Sequence, residues 1–265
     1  MKRLLPLIAA WCCCLTAAMA ATGTDTVTLR VMTFNLHAGH DASLQEIALL
    51  INQLQPDFVA LQEVDCGTHR ASARHQNGRD FVTELAYHSG MMGLYGPAIK
   101  FSGGLYGIGL LSRHPHCQSR NIMLPNPNPE MEQRALLEAT FVLPSGDTIT
   151  VASTHLEAFD QQCREVQGHF LRQHYATAPH PTIIAGDFNA HPDDAIIAQV
   201  MLPDWLDCTD RQPTFSTEAP TEKIDYIFAR PTGCWRVVDT QVVPCKLSDH
   251  FPVVTTLQLD ITCTD

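Results

Sequence analysis

The sequence of 265 residues carries 28 acidic and 17 basic side chains, which gives a formal net charge of −11. A surface of that sign repels nucleic acid at long range and weakens non-specific binding, although a bound metal ion can reverse the local field. The hydrophobic fraction of 45% is ordinary for a globular protein, and the length suits one large α/β domain or two small ones.

The first 20 residues have the layout of a secretory signal peptide. Lys2 and Arg3 form a charged start, Leu4–Ala17 is almost entirely apolar, and Ala18-Met19-Ala20 has the small-x-small pattern of a cleavage site. The apolar run is short for a membrane span, which makes an uncleaved anchor the less favoured alternative. We therefore expect an exported protein, periplasmic or extracellular after cleavage, with residues 21–265 as a single domain.

The remaining chain alternates between β-rich runs and a few helices. A capping box at Ser43 and Glu46 starts the first helix, whose apolar residues recur at helical spacing until Pro56 ends it. A turn at Pro144–Asp147 joins two strands into a hairpin, and Met91–Gly104 is an apolar, glycine-rich loop. The other predicted helices are Arg79–His88, Phe159–His174 and Asp193–Met201. The predicted strands are Thr28–Leu36, Asp57–Val64, Gly107–Ser112, Arg134–Leu143, Thr148–His155, Thr182–Gly186, Ile224–Ala229, Trp235–Val243 and Val253–Leu259.

Strands clearly outnumber helices in this pattern, and many neighbouring strands read as antiparallel pairs. The pattern favours an α/β (α+β) fold, in which two mixed or antiparallel sheets pack face to face with helices outside. A doubly wound parallel sheet is the less favoured arrangement.

Seven cysteines follow the predicted signal peptide, and none forms a C-x-x-C pair, which argues against a structural zinc site. An exported chain with this many cysteines is expected to carry some disulfides, and an odd number leaves at least one free thiol. The alternative is that several are buried small hydrophobic residues. They are Cys66, Cys117, Cys163, Cys208, Cys234, Cys245 and Cys263.

Polar residues recur where the predicted strands end, and polar groups gathered at one end of a sheet can converge on one site. Glu63 closes an apolar run, where a charge is costly unless it is paired. Glu63 and Asp249 offer the oxygen ligands that Mg²⁺ prefers, and Asn35 offers a neutral carbonyl or orients them.

A second group of strand-end residues suits phosphoryl transfer, which needs an oriented water and charge neutralisation. Asp187 is placed to accept the proton of the water, while Asn189 and a histidine such as His155 can donate hydrogen bonds to the phosphate. A carboxylate fixes a histidine and favours its cationic form, and Asp225 with His250 is the candidate pair.

The strand-end residues belong to six short motifs, which are Thr33-Phe34-Asn35-Leu36, Leu61-Gln62-Glu63-Val64, Ser153-Thr154-His155-Leu156, Gly186-Asp187-Phe188-Asn189, Ile224-Asp225-Tyr226 and Ser248-Asp249-His250. In this order they resemble the motifs of the endonuclease/exonuclease/phosphatase superfamily. Its members include pancreatic-type DNases, abasic-site endonucleases, inositol-phosphate 5-phosphatases and neutral sphingomyelinases. The resemblance covers about residues 29–259 and implies a four-layered α/β sandwich and metal-dependent phosphoester hydrolysis.

The resemblance also implies a role for each matched position. His155 resembles the second phosphate-contacting histidine of DNase-like and sphingomyelinase-like members, and it separates this chain from abasic endonucleases, which generally have an Asn there. The implied metal ligands are Asn35, Glu63 and Asp249. The implied catalytic residues are His155, Asp187, Asn189, Asp225 and His250.

Three further side chains are candidates for substrate contacts, namely His37, Lys100 and Arg134. His37 follows the first motif by two residues, and a cation that faces the pocket can clamp a phosphate. The alternative for Lys100 is a solvated surface charge.

The motifs recognise a phosphoester and leave the attached group open. One hypothesis is a phospholipid or small organic phosphodiester, with Met91–Gly104 either as a lipid-facing lip or as plain core packing. A second is a secreted or periplasmic nuclease, against which the lack of a basic, aromatic-interleaved stripe argues. A third is a non-catalytic binding module, which the intact motifs disfavour. We expect Mg²⁺ as cofactor, with Mn²⁺ or Ca²⁺ as alternatives, and a monomer without a stable protein partner.

Overall fold

The computed structural model describes residues 26–263, so the predicted signal peptide lies outside the described residues. Residues 26–263 form twelve strands, three α-helices and one π-helix, with short 3-10 turns between them. The strands are β1 Thr26–Asn35, β2 Phe58–Cys66, β3 Met92–Phe101, β4 Gly104–Ser112, β5 His116–Met123, β6 Ala135–Val142, β7 Thr148–His155, β8 Thr182–Asp187, β9 Leu206–Asp207, β10 Asp225–Arg230, β11 Trp235–Val242 and β12 Val253–Asp260. The helices are α1 Leu44–Leu54, α2 Phe81–Ser89, α3 Gln161–His174 and the π-helix Ile196–Met201, and the 3-10 turns are His37–Gly39, Arg74–Gln76, Thr232–Cys234 and Ile261–Cys263.

The strands are arranged in two six-stranded sheets that pack face to face. The first sheet has the order β11-β12-β1-β2-β4-β3, and the second has the order β5-β6-β7-β8-β10-β9. Each sheet is mixed, because β1 runs parallel to β2 and β7 runs parallel to β8, while the other neighbours are antiparallel. The predicted fold class is therefore confirmed.

Three apolar cores hold these layers together. The central core joins the two sheets. In it the rings of Phe58 and Phe141 meet edge to face, with their centroids 4.8 Å apart. The second core packs α1 and α2 on the outer face of the first sheet, and the third packs α3 and the π-helix on the second sheet. Burial of these apolar faces is the main driving force for the four-layered arrangement.

Helix α1 begins at the predicted capping box. The Ser43 hydroxyl accepts from the backbone N–H of Glu46, while the Glu46 carboxylate accepts from the backbone N–H of Ser43 at 2.9 Å. The helix ends at Leu54 and is capped by Gln55, which adopts a left-handed conformation immediately before Pro56. None of the helices among residues 26–263 is both long and apolar enough to cross a bilayer.

Two predicted elements were wrong in type or extent. The segment predicted as the loop Met91–Gly104 contains the edge strand β3, paired antiparallel with β4. Gly93 and Gly96 resemble loop residues in the sequence but serve packing, since a Cβ on Gly93 would lie 2.6 Å from Val82 of α2. The helix predicted at Asp193–Met201 is the shorter π-helix, and the strands β5 and β9 were not predicted.

Five cysteines carry free thiols, namely Cys66, Cys117, Cys163, Cys208 and Cys245. The expected disulfides therefore do not form among these five. Cys163 and Cys208 are buried within the fold, as the alternative interpretation proposed for some of the cysteines.

Gly186 sets the spacing between β7 and β8 at the end of the second sheet. The parallel register pairs Thr154 with Gly186 and His155 with Asp187. A Cβ on Gly186 would lie 2.1 Å from the carbonyl oxygen of Thr154, a distance that real side chains do not reach. The missing side chain thus allows the close approach that places His155 beside Asp187.

Gly186→Ala is expected to lower the free energy of unfolding by about 3 kcal/mol, because β7 and β8 must separate to admit the methyl group. The matched control is Gly233→Ala, where no atom lies within 4 Å of the added Cβ. Its free energy of unfolding should change by no more than about 0.5 kcal/mol. Urea unfolding of both variants measures the effect, and equal midpoints would contradict the close-approach explanation.

Candidate active site

The predicted strand-end residues converge on a cleft of about 560 Å³ at one edge of the two sheets. β1, β7 and β8 end at this edge with Asn35, His155 and Asp187. β10 and β12 run antiparallel to their neighbours and therefore begin there, which brings Asp225 and His250 to the same place. The cleft is lined by Glu63, Tyr106, Glu132, Arg134, His155, Ala158, Phe159, Arg164, Asp187, Asn189, His191, Asp194, Phe215, Glu222, Ile224, Asp249 and His250.

Glu63 reaches the cleft through an irregularity in β2. The pairing of β2 with β4 shifts register between Leu61 and Val64, and Glu63 has a φ of 55°. Such a bulge turns a side chain out of the regular alternation and is common beside active sites. Asn35 on the adjacent strand donates from Nδ2 to Glu63 Oε1 at 3.2 Å, which holds the carboxylate in place.

Glu63 and Asp249 present hard oxygen atoms to the cleft. Asp249 Oδ1 accepts from Ser248 Oγ at 3.3 Å and lies 3.7 Å from His37 Nδ1. Within residues 26–263, neither carboxylate forms an ion pair with a lysine or an arginine. This donor set fits a hard divalent cation, which when bound would neutralise charge on the oxygens of a phosphate.

Asn35 contributes mainly by orienting other groups. Its Nδ2 also donates to Asp187 Oδ2 at 3.0 Å, and its Oδ1 accepts the backbone N–H of His37 at 3.0 Å. One lone pair of Oδ1 remains for the predicted metal contact.

Asp187 is buried between the two predicted histidines. Its Oδ2 lies 3.5 Å from His155 Nε2 and 3.7 Å from His250 Nε2, and its Oδ1 accepts the backbone N–H of Asn189 at 2.9 Å. Burial and the nearby Asp225 carboxylate raise the pKa of Asp187 to about 7, because both disfavour the charged form. A carboxylate with such a pKa is suited to accept a proton from water near neutral pH.

His250 is held by Asp225, its candidate partner from the sequence. His250 Nδ1 lies 2.9 Å from Asp225 Oδ2, and both side chains are buried. Burial alone would lower the pKa of His250, but the charge and hydrogen bond of Asp225 outweigh it and raise the pKa to about 10. The ring therefore carries a positive charge at neutral pH.

His155 has the opposite electrostatic environment. Burial, the Arg134 guanidinium and His250 together hold the pKa of His155 well below its usual range. The imidazole is therefore neutral at neutral pH. The Asp187 carboxylate therefore lies between a neutral His155 and a cationic His250.

The structure does not bring every predicted residue into the cleft. His37 lies beside it, with Nδ1 2.7 Å from Asp41 Oδ2 as well as near Asp249. Lys100 is exposed on the edge strand β3 and is absent from the cleft lining among the described residues. Asn189 lines the cleft while its Nδ2 donates to the carbonyl of Leu156 at 3.0 Å.

Several site residues were missed by sequence reasoning. Glu157 is a buried carboxylate two residues after His155, and Glu132 forms an ion pair with Arg134 at 2.7 Å. The alternate spacing of Glu132 and Arg134 places both on one face of an extended chain, which was the available signal. Phe159 had been assigned to the predicted helix, yet it precedes α3 and lies on the rim of the cleft.

A second possible cation site lies deeper in the cleft. One ligand atom from each of Asp187, Asp225 and His250 lies within 4.8 Å of the others. His250 Nδ1 is already bound to Asp225 Oδ2 within this group, which removes one nitrogen and one carboxylate oxygen as ligands. The carboxylates of Glu63 and Asp249 are less enclosed by hydrogen bonds to charged groups, since their neighbours are the Asn35 amide at 3.2 Å and His37 at 3.7 Å, and they fit a cation better.

The sequence from residue 32 to residue 250 matches the Endonuclease/Exonuclease/phosphatase family. The chain belongs to the endonuclease/exonuclease/phosphatase family. Members of this family are metal-dependent phosphoesterases, and the chain is a hydrolase of this class. All eight predicted catalytic and metal residues lie inside the matched segment.

Solved structures of this family share the fold. An endonuclease/exonuclease/phosphatase from Beutenbergia cavernae is 24% identical, with a TM-score of 0.74 over 88% of this chain and 72% of its own. A mannosyl-6-phosphatase from Bacteroides thetaiotaomicron is 17% identical, with a TM-score of 0.68 over 86% and 99%. The human Nocturnin catalytic domain with bound sulfate is 22% identical, with a TM-score of 0.64 over 88% and 96%. No curated protein sequence matches the chain.

Proposed function

We propose that the protein is an exported, Mg²⁺-dependent phosphodiesterase or phosphatase that acts on a phospholipid or a small organic phosphoester. The observation that carries the proposal is the position of Asp187, buried between a neutral and a cationic histidine within the same cleft as Glu63 and Asp249. Export is proposed from the pattern of the first 20 residues alone.

The side chains support hydrolysis by an activated water. Asp187 accepts the proton of the attacking water, and the cationic His250 stabilises the negative charge on the phosphate or protonates the leaving oxygen. Asn35 holds Asp187 through its amide, while Asp225 keeps His250 oriented and charged. Each of these groups is fixed by a second contact, so little reorganisation is needed during the reaction.

The charges of the cleft favour a substrate with a single phosphate over a nucleic acid. Arg134 already lies 2.7 Å from Glu132, and Arg164 donates to the carbonyl oxygens of Glu157 and Ala158. These are the basic side chains other than histidine in the described lining, so no free Lys or Arg there would follow a phosphate backbone. A secreted nuclease remains the second candidate.

Phe159 supports an apolar or organic group beyond the phosphate. Its side chain is 90% exposed on the rim of the cleft, a position that leaves a phenyl ring in water. The loop that carries it is fixed, because its backbone N–H donates to Glu157 Oε1 at 2.9 Å and Arg164 binds the preceding carbonyl at 3.0 Å. An ordered loop with an exposed aromatic side chain is suited to contact an organic substituent.

A substrate panel tests the proposed function. Residues 21–265 with Mg²⁺ should release product from bis-p-nitrophenyl phosphate and headgroup from phospholipid vesicles, without nicking plasmid DNA. Nicking of plasmid DNA without headgroup release from vesicles would contradict the lipid hypothesis and support the nuclease hypothesis. The absence of turnover on every substrate in the panel would overturn the proposal.

Phe159→Ala is expected to lower kcat/KM on vesicles or bis-p-nitrophenyl phosphate by about tenfold, because burying an aromatic ring against an organic group contributes about 1–2 kcal/mol. Hydrolysis of methyl phosphate should change little. The matched control is Tyr87→Ala, since Tyr87 is 82% exposed on α2 and lies outside the cleft lining. An equal loss on every substrate would contradict a role for Phe159 in substrate selection.

A further inference from the structure

Arg134 lies on the floor of the cleft with its positive charge already balanced. Its side chain is only 8% exposed, and Nη1 lies 2.7 Å from Glu132 Oε1. Its Nε lies 3.5 Å from Glu157 Oε2, and both of these atoms are buried without a hydrogen bond. A side chain flanked by two carboxylates is poorly suited to be the phosphate clamp that the sequence suggested.

The same nitrogen of Arg134 also faces a histidine. Nη1 lies 3.3 Å from Nδ1 of His155, and both side chains are buried. A guanidinium has only N–H donors, so Nδ1 must act as the acceptor and carry no proton. The proton of the neutral ring then lies on Nε2, which is the nitrogen on the side of Asp187, 3.5 Å from Oδ2.

We infer that Arg134 is a positioning residue that keeps His155 in the neutral form with its proton on Nε2, so that His155 donates a hydrogen bond to the phosphate and takes no part in proton transfer. The inference rests on the proposed function for its substrate.

The other neighbours of His155 agree with this assignment. The Asp187 carboxylate lies on the Nε2 side without a hydrogen bond to the ring, and its negative charge also favours a proton there. His250 contributes a second positive charge nearby, and Tyr106 from β4 lines the same small space as Arg134 and His155. An imidazolium at His155 would therefore face two cations, one of them at hydrogen-bond distance.

The test compares variants that keep the buried charge balanced. Removing Arg134 alone leaves Glu157 without its partner, so Arg134→Met is combined with Glu157→Gln, and Glu157→Gln alone is the reference. Arg134→Lys is the conservative variant, because it retains a charged donor. Thermal unfolding selects the variants that fold.

Two measurements decide the outcome. Relative to the reference, the double variant should lose on the order of 10²-fold in kcat with KM within about threefold, since a donor to the transition state is mispositioned. Arg134→Lys should retain most of the kcat that the double variant loses. The ¹⁵N resonances of the His155 ring should show Nε2–H in the native protein, and a mixture of tautomers or an imidazolium in the double variant.

A rise in KM without a change in kcat or in the ring resonances would overturn the inference, because Arg134 would then contact the phosphate directly. Nδ1–H or an imidazolium at His155 in the native protein would overturn it as well. The spectrum needs no substrate, so it tests Arg134 even if every phosphoester in the panel fails and the proposed function is wrong.

Discussion

Glu63→Gln is expected to lower kcat on bis-p-nitrophenyl phosphate on the order of 10³-fold, since it removes a charged oxygen donor from the proposed cation site. The substitution keeps the shape of the side chain, and Asn35 can still donate to the remaining oxygen. Calorimetric titration with Mg²⁺ should show a loss of affinity in the same variant.

The control for this experiment is Glu84→Gln, which removes an acidic side chain of α2 that pairs with Arg79, away from the cleft. Its activity and Mg²⁺ affinity should match those of the native protein. Native protein treated with a chelator should lose activity and regain it when Mg²⁺ is added. Undiminished turnover by Glu63→Gln in the presence of chelator would rule out the cation site.

Asp225→Asn is expected to lower kcat by about 10³-fold, because the neutral amide no longer supports the positive charge of His250. The two side chains have nearly the same size, and Asp225 Oδ1 has no hydrogen-bond partner that the change would break. The fold should therefore survive. The loss should appear in kcat with little change in KM, since the group acts through His250.

The matched control is Asp239→Asn on β11, which removes an exposed acidic charge outside the cleft. The ¹⁵N resonances of the His250 ring provide a second readout. They should report an imidazolium in the native protein and a neutral ring in Asp225→Asn. Activity of Asp225→Asn within threefold of the native value would contradict the role assigned to the pair.

Much of the fold followed from local patterns. The capping box at Ser43 and Glu46 predicted the start of α1, and the turn at Pro144–Asp147 predicted the β6–β7 hairpin. The strand β3 was missed because Gly93 and Gly96 read as loop residues. Both positions need a small residue because other parts of the fold pack closely against them, and a single sequence does not show such tertiary contacts.

The convergence of the site residues could be predicted from the sequence, but some of their side-chain contacts could not. Residues at strand ends could be expected to converge, because parallel and antiparallel neighbours bring particular ends to one edge. The contact of Arg134 with His155 depends on how the residue before β6 meets the end of β7, which the order of residues does not reveal. The rim position of Phe159 likewise depends on where α3 begins.

The active site is divided between the two sheets. Asn35 on the first sheet bonds to Asp187 on the second, and His250, which precedes a strand of the first sheet, bonds to Asp225 on the second. A small slip of one sheet across the other would separate both pairs at once. The catalytic rate should therefore depend on how the two sheets are aligned. We expect a cavity in the central core between the sheets to reduce turnover before the protein measurably unfolds.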